Sequence, residues 1–282
     1  MYSKNKLNLK RIFIIMGALI VVLSFCAFGL KSNGSGWVYN SELQEVQKMV
    51  VNTDIANITL HPSESNFHYN LKGNHPVFGK PKIEVDYQNE QATLDVKAIP
   101  KKWMYAIPGF VKRMHLQLFI PPNMLKKIEI NTKNGNIDVE GVMKVNRLSL
   151  NSSVGNIKVD AFDGNAVNVV ANNGSIEMGE VNGEVTIKNQ TGSLKGLTLL
   201  NIKGKNNINL SNGNVKITLP TNIKPNDFKW NIKTKNGRIT TDNQQLKQSI
   251  VKQGVSQKII NNSFANNELI ISVKVGKINI IH

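Results

Sequence analysis

The fold is decided by a pattern that appears in residues 131–139, NTKNGNIDV, and again in residues 151–159, NSSVGNIKV. Each stretch has a polar corner around a glycine, Gly135 or Gly155, with aliphatic side chains at alternate positions on either side. Alternation with a period of two is typical of a β-strand that buries one face. Glycine enters the positive-φ region freely, and asparagine tolerates it better than most residues. The pattern therefore predicts a strand, a tight corner and a second strand.

The same unit recurs through the second half of the chain. Its corner glycines are Gly135, Gly155, Gly174, Gly192, Gly213, Gly237 and Gly276. An aliphatic residue follows each corner glycine by two positions, and another precedes each one by five. Seven positions before the glycine, six units have a large apolar residue and the remaining unit has Asn206. Residues 49–60 form an earlier, degenerate unit with Ala56 in place of the glycine.

One such unit cannot bury its apolar face alone, whereas a stack of units buries a continuous strip. We therefore expect an all-β fold over residues 45–282, a right-handed parallel β-solenoid built from repeats of about 20 residues. The interval of 39 residues between Gly237 and Gly276 predicts one unit that has degenerated or loops out between Thr240 and Phe264. The 39 asparagines are expected to align at the corners as hydrogen-bonded ladders.

An antiparallel meander or sandwich is the alternative fold. Asn-Gly pairs begin at residues 134, 173, 212 and 236, and Asn-Gly between alternating runs is the strongest short-range signal for a hairpin. Two observations favour the solenoid. The whole unit recurs with the same internal register, and the corners at Gly155, Gly192 and Gly276 lack the preceding asparagine that a hairpin turn prefers.

The N-terminal residues predict a membrane anchor. Residues 1–11 are basic, and residues 12–30 carry no charge and are long enough to cross a bilayer. Because basic residues stay on the cytoplasmic side, we expect a cytoplasmic tail at 1–11, a transmembrane signal anchor at 12–30, a linker at 31–44 and an extracytoplasmic domain at 45–282. The expected location is the cell membrane, with a single pass. The alternative is a signal peptide cleaved near residues 27–29.

The charge and the cysteine content narrow the class of protein. The chain has a net charge of +16, and residues 32–282 carry 30 basic side chains against 19 acidic ones. A basic exported domain suits anionic wall polymers or lipid headgroups, and we expect no nucleic-acid partner because an exported chain rarely meets one. The single cysteine, Cys26, lies in the predicted span and excludes a disulfide framework.

At this point the sequence resembles a bacterial family of candidate adhesins whose domain has no assigned function. The resemblance rests on the two stretches quoted above and on residues 53–62, TDIANITLHP, which look like the start of that family's domain. The family includes the membrane-anchored LiaG-type proteins of Gram-positive cell-envelope-stress operons. The resemblance implies a β-solenoid ectodomain and a role in the cell envelope. The resemblance implies no catalytic residues in this chain.

Residues that could carry chemistry are few. His61, His68 and His75 are spaced by seven and could hold Zn²⁺ or Cu²⁺, or could simply be loop residues. Acidic residues of the repeats sit mostly at outward positions, which is the pattern of a solvated face: Asp138, Glu140, Asp160, Asp163, Glu177 and Glu180. Common catalytic motifs are missing. We expect no catalytic residue, no metal and no cofactor.

Residues 101–113, KKWMYAIPGFVKR, place aromatic side chains between basic pairs. Such a segment suits contact with an anionic bilayer or with a partner protein, and it could equally cap one end of the solenoid core. The predicted contact residues are Lys101, Lys102, Trp103, Tyr105, Phe110, Lys112 and Arg113.

These features favour a non-enzymatic, membrane-anchored envelope protein with a scaffold, adhesin-like or stress-response role. One alternative is a regulatory sensor partner that binds a membrane protein of an envelope-stress system through residues 101–113. A lesser alternative is an enzyme that acts on a cell-wall polysaccharide, which would need paired carboxylates.

Overall fold

The computed structural model describes residues 37–64, 66–73, 81–97, 114–122, 124–221, 228–261 and 265–282. Within this part of the chain there are twenty strands and one short helix, α1 (Gln244–Gln248). The strands are β1 (Trp37–Glu42), β2 (Lys48–Pro62), β3 (His68–Gly73), β4 (Lys82–Gln88), β5 (Gln91–Lys97), β6 (Met114–Ile120), β7 (Lys127–Asn134), β8 (Ile137–Lys144), β9 (Arg147–Val154), β10 (Ile157–Asn173), β11 (Ile176–Thr191), β12 (Leu194–Leu199), β13 (Lys205–Asn212), β14 (Val215–Thr218), β15 (Lys229–Asn236), β16 (Ile239–Thr241), β17 (Val251–Gln253), β18 (Ser256–Ile260), β19 (Glu268–Val275) and β20 (Ile278–Ile281).

The strands form two sheets that enclose one apolar core. The first sheet has the order β4-β5-β2-β7-β9-β10-β11-β13-β19-β15-β18-β17. The second sheet has the order β1-β3-β6-β2-β8-β10-β11-β12-β14-β20-β16. Strands β2, β10 and β11 bend and contribute one half to each sheet. All neighbours from β5 to β15 and from β6 to β16 run parallel, so the chain forms a stack of coils and not a meander.

The predicted apolar positions form the core of the stack. Ile128 and Ile130 before the corner and Ile137 and Val139 after it are buried, and the equivalent apolar residues of the other coils are buried with them. Asn206, the exception in the repeat, is also fully buried. Its Oδ1 accepts a hydrogen bond from the Val185 N–H at 3.0 Å, and its Nδ2 donates to the Lys203 carbonyl at 3.0 Å. A buried amide whose two ends are both paired can replace an apolar side chain at this position.

The corner glycines lie directly above one another. A Cβ atom at any of the seven would lie between 1.8 and 2.0 Å from the carbonyl oxygen of the corner residue of the adjacent coil. Five of them have positive φ, for example +149° at Gly155, whereas Gly135 and Gly237 do not. The close approach of the coils therefore explains glycine at all seven corners. Positive φ, the reason that we predicted from the sequence, holds at only five of these glycines.

Side-chain ladders run along the corners, as the asparagine content predicts. One residue after the corner, the Oδ1 of Asn57 accepts from the Asn136 N–H and the Oδ1 of Asn136 accepts from the Asn156 N–H, both at 3.0 Å. Three residues before the corner, buried hydroxyls donate to the corner carbonyl of the adjacent coil, as Ser152 does to Gly135 at 3.1 Å. These ladders pair backbone groups that the turn leaves without a strand partner.

The coils do not stack in the order of the sequence. The coil of Gly276, formed by β19 and β20, lies between the coil of Gly213 and the coil of Gly237. The described residues between Thr240 and Phe264 form α1 and the hairpin β17–β18, so the prediction of a degenerate unit is wrong, whereas the alternative that this stretch loops out agrees with the structure. The long interval arises because the chain turns back before it adds its next coil.

At the other end of the stack the order of the coils also differs from the order of the sequence. Strand β2 lies between the coil of β5 and β6 and the coil of β7 and β8, so Ala56 occupies a corner position next to Gly135. Antiparallel strands then cover both ends: β4 with β3 and β1 at one, β18 with β17 at the other. Residues 37–42, within the predicted linker, form β1 and pair with β3, so the folded domain includes them.

In the part of the chain that the structure describes, no helix is long and apolar enough to cross a bilayer. The predicted anchor at residues 12–30 lies outside the described residues.

Candidate functional site

The outer face of the first sheet carries rows of polar side chains that run along the stack. One row joins four neighbouring strands through a chain of hydrogen bonds. Asn151 donates to Asn131 at 2.7 Å, Asn131 donates to Asn52 at 2.9 Å, and Asn52 donates to the carboxylate of Asp95 at 2.8 Å. These side chains satisfy one another, so this half of the face is rigid and close to neutral.

Three shallow concave stretches lie along this face, next to the row of corner glycines. Their volumes are about 480, 470 and 410 Å³ from the β5 end to the β18 end of the sheet. The first is lined by the asparagine row together with Asp54, Lys97 and Lys133. The second is lined by Asn172, Lys188, Gln190, Asn209, Ser272 and Lys274, among others. The first and second stretches share Val170 and Asn172 in their lining, and the second and third share Ser272 and Lys274, so we describe the three together as the groove.

The third stretch contains four lysines, which we call the lysine cluster: Lys233, Lys235, Lys258 and Lys274. Lys233 and Lys258 are directly opposite each other on the antiparallel pair β15–β18. Lys235 and Lys274 occupy matching positions on the parallel pair β15–β19. All four side chains are exposed. Three adjacent strands thus present four ammonium groups to one concave surface.

Two lysines near the other end of the same face have carboxylate partners. Lys133 pairs with Asp54 at 2.7 Å and Lys127 pairs with Glu129 at 3.0 Å. The hydrogen bond from Lys127 lowers the pKa of the Glu129 carboxyl, although partial burial opposes the shift. Among the residues that the structure describes, no carboxylate oxygen lies within 4.0 Å of any ammonium nitrogen of the lysine cluster. The cluster therefore places four exposed lysines without a carboxylate partner on one concave surface.

The outer face of the second sheet carries the acidic residues of the repeats, as predicted. Lys158 forms an ion pair with Asp160 at 3.0 Å, and this hydrogen bond lowers the pKa of Asp160. Burial raises the pKa of Asp138, which lies beside Lys158 on the neighbouring strand. Charges of both signs alternate here, which is the behaviour expected of a solvated face.

Two of the three histidines of the candidate metal group, His61 and His68, lie among the described residues. His61 and His68 stack on opposite sides of Phe119, with ring centroids 4.9 and 4.4 Å from it. The Nδ1 of His61 contacts the Glu140 carboxylate at 2.9 Å, and the Nδ1 of His68 contacts the Asn66 carbonyl at 2.6 Å. No group of three potential metal ligands occurs among the described residues, and His75 lies outside them. The two described imidazoles stabilise an aromatic stack.

The remaining predicted site residues are the corner glycines and the contact segment at 101–113. The seven corner glycines lie against the corner of the adjacent coil. The predicted contact segment lies outside the described residues, and its residues are Lys101, Lys102, Trp103, Tyr105, Phe110, Lys112 and Arg113. The lysine cluster was not predicted. Its signal in the sequence is that strands β13, β15, β17, β18 and β19 contain seven lysines and a single acidic residue, Glu268.

Comparison with known proteins identifies a family. The family model described as Toastrack DUF4097 matches residues 46–185 and matches again at residues 142–280. Together the two matches span the stack of coils, and their overlap reflects the repetition of the unit. Among curated proteins, none matches the chain.

Several solved structures match at low sequence identity. A candidate cell adhesion protein from Clostridium sporogenes is 13% identical, with 88% of this chain and 99% of that chain covered and a TM-score of 0.40. A candidate adhesin from Bacteroides fragilis is 13% identical, with 87% and 97% covered and a TM-score of 0.44. A candidate lipid binding protein from Parabacteroides distasonis is 10% identical, with 89% and 98% covered and a TM-score of 0.48.

Proposed function

We propose that this chain, which belongs to the Toastrack DUF4097 family, is a membrane-anchored protein of the bacterial cell envelope. In this proposal it works without catalysis. In this proposal residues 12–30 hold the chain in the cell membrane. The stack of coils is a right-handed β-solenoid outside the cytoplasm, where it serves as a scaffold or an adhesin-like surface in the envelope or in its stress response. Its partner is an anionic envelope polymer.

The single observation that carries this proposal is the groove along the first sheet. Parallel strands lie about 4.8 Å apart, so nine stacked coils give a face about 40 Å long. On three neighbouring strands of this face the same side chain recurs in register, in the chain Asn151–Asn131–Asn52. A long, regular and rigid groove suits a partner that is itself long and regular, which is the geometry of a polymer.

The charge of the chain supports an anionic partner. Residues 32–282 carry 30 basic side chains against 19 acidic ones. A basic surface raises the local concentration of polyanions and speeds their capture, an effect that salt screens. The unpaired lysines of the groove lie where such a partner would bind.

Cosedimentation with cell walls tests the proposal. The full chain, purified in a neutral detergent, would be mixed with isolated Gram-positive walls and with walls from which hydrofluoric acid has removed the phosphate polymers. We expect it to sediment with the intact walls and to remain in solution with the stripped walls. Equal binding to both wall samples, or binding to neither, would refute an anionic polymer as partner. Release of reducing ends from the walls would refute the absence of catalysis.

Cell fractionation tests the anchor. We expect the full chain in the membrane fraction after an alkaline carbonate wash, which removes peripheral proteins. Recovery of a shorter chain in the culture medium, cut near residues 27–29, would show instead that the N-terminal segment is a cleaved signal peptide.

A further inference from the structure

We propose that the lysine cluster is a binding site for the phosphodiester groups of an anionic envelope polymer. This inference rests on the proposed function and assigns its charged contacts to four residues, Lys233, Lys235, Lys258 and Lys274.

The first argument is the spacing of the four side chains. Lys233 and Lys235 leave the same face of β15, about 6.7 Å apart along the strand. Lys258 lies opposite Lys233 on one neighbouring strand, and Lys274 lies beside Lys235 on the other, each about 4.8 Å away. Flexible lysine side chains at these separations can converge on one phosphate or on two successive phosphates of a chain.

The second argument is the cost of this arrangement without a ligand. Like charges directly opposite each other on neighbouring strands are destabilising. At the far end of β19 this cost is offset, since Lys205 and Lys229 approach the Glu268 carboxylate at 3.8 and 3.9 Å. Within the described residues nothing neutralises the lysine cluster. A bound anion would relieve this repulsion, so the cluster is arranged for an external negative charge.

The third argument is the rigid backbone around the cluster. The hydroxyl of Ser256 donates to the Lys235 carbonyl at 2.7 Å, and the Oε1 of Gln257 accepts from the Ile239 N–H at 2.7 Å. These bonds hold β18 against β15 and β16, so the cavity of about 410 Å³ is preformed. Lysine presents a compact charge with three donors, which suits tetrahedral phosphate oxygens without requiring a planar, two-pronged ligand.

The shape of the groove favours a polymer over the headgroups of a bilayer. The cavity continues into the neighbouring stretch of about 470 Å³, where Lys188, Asn209 and Ser272 offer a further charge and neutral hydrogen-bonding groups. A flexible chain can lie in such a depression, whereas a flat bilayer contacts what protrudes. We therefore assign the phosphodiesters to a polymer.

A binding titration with matched variants tests this assignment. The full chain would be placed in phosphatidylcholine nanodiscs and titrated with a fluorescent glycerol-phosphate oligomer. One variant carries Lys235→Gln and Lys258→Gln. The control carries Lys195→Gln and Lys216→Gln, which remove the same charge from two exposed, adjacent strands on the outer face of the second sheet. We expect about a tenfold loss of affinity in the first variant, or roughly threefold per exposed charged contact, and less than twofold in the control.

The outcomes separate this inference from the proposed function. Equal losses in both variants would show that binding follows net charge, which overturns the assignment to the cluster while the proposed function stands. Oligomer binding that neither variant changes would overturn it in the same way. A chain that binds phosphatidylglycerol vesicles but not the oligomer would overturn the choice of a polymer. Failure of the unmodified chain to bind intact cell walls would refute the proposed function itself.

Discussion

The substitution Gly155→Ala tests whether the contact between stacked corners holds the coils together. A Cβ atom at residue 155 would lie 2.0 Å from the Gly135 carbonyl oxygen, and real Cβ contacts are essentially never shorter than 3.0 Å. The two coils would therefore have to move apart by about 1 Å at this corner. No flexible side chain can yield instead, because the atom in contact belongs to the backbone.

The energetic cost follows from the bonds that this movement would break. The Gly135 N–H donates to the Val154 carbonyl at 2.9 Å, and the Ser152 hydroxyl donates to the Gly135 carbonyl at 3.1 Å. Lengthened by about 1 Å, neither would remain a hydrogen bond, and each contributes about 0.5–1.5 kcal/mol. Alanine at a φ of +149° adds backbone strain of about 1–3 kcal/mol. We expect the free energy of unfolding to fall by about 2–6 kcal/mol.

Urea unfolding of the full chain, followed by circular dichroism, measures this loss. The matched control is Gly254→Ala, at a residue with φ of +58° and no neighbouring atom within 4 Å. It introduces strain without a clash and should cost about 1–2 kcal/mol. If Gly155→Ala costs no more than Gly254→Ala, the corner contact contributes nothing and our explanation of the corner glycines is refuted.

Three further predictions concern individual residues and one coil. At pH 7, Asp138→Asn should raise the midpoint of thermal unfolding by about 1–2 °C, and Asp160→Asn should lower it by a similar amount. The signs differ because burial raises the pKa of Asp138 and penalises its ionised folded form, whereas the Lys158 hydrogen bond lowers the pKa of Asp160 and stabilises that form. Both differences should vanish once the pH is low enough to protonate both carboxyls, and this requires a lower pH for Asp160, whose pKa is lowered, than for Asp138, whose pKa is raised; a difference that persists after both are protonated would contradict this account. Asn206→Ala should cost about 1–3 kcal/mol in urea unfolding, because the Val185 N–H loses its acceptor; no loss would contradict this role. A chain that ends at residue 261 lacks β19 and β20 and should be cut by protease far faster than the full chain; equal resistance would show that the missing coil is dispensable.

Much of the stack could be predicted from the repeat. The corners from Gly135 to Gly213, the buried positions around them and the degenerate unit at Ala56 all follow from alternation around a glycine. The Asn-Gly pairs at Gly135 and Gly213 do not form hairpin turns. The strands on either side of each glycine pair with strands of adjacent coils and not with each other. A described hairpin, β4–β5, turns at Asn89 and Glu90 without any glycine.

The order of the coils could not be predicted. The units of Gly237 and Gly276 share the same pattern, and nothing in that pattern says which of them is adjacent to the unit of Gly213. The lysine cluster was missed for the same reason. Its members lie on β15, β18 and β19, and these strands become neighbours only because the chain turns back. Local sequence determines which residues point outward, whereas the topology determines which of them lie side by side.

The position of β19 and β20 inside the stack has a consequence for the time course of folding. Residues 268–281 leave the ribosome after every other strand of the stack, yet they must pair with β13 and β14 on one side and with β15 and β16 on the other. Until they arrive, two pairs of strands keep unpaired edges, which readily join other chains. The stack therefore cannot be completed progressively from one end during synthesis. Its closure is a late step that depends on contacts between distant parts of the chain, and this makes folding slow and gives a chaperone a defined interval in which to act.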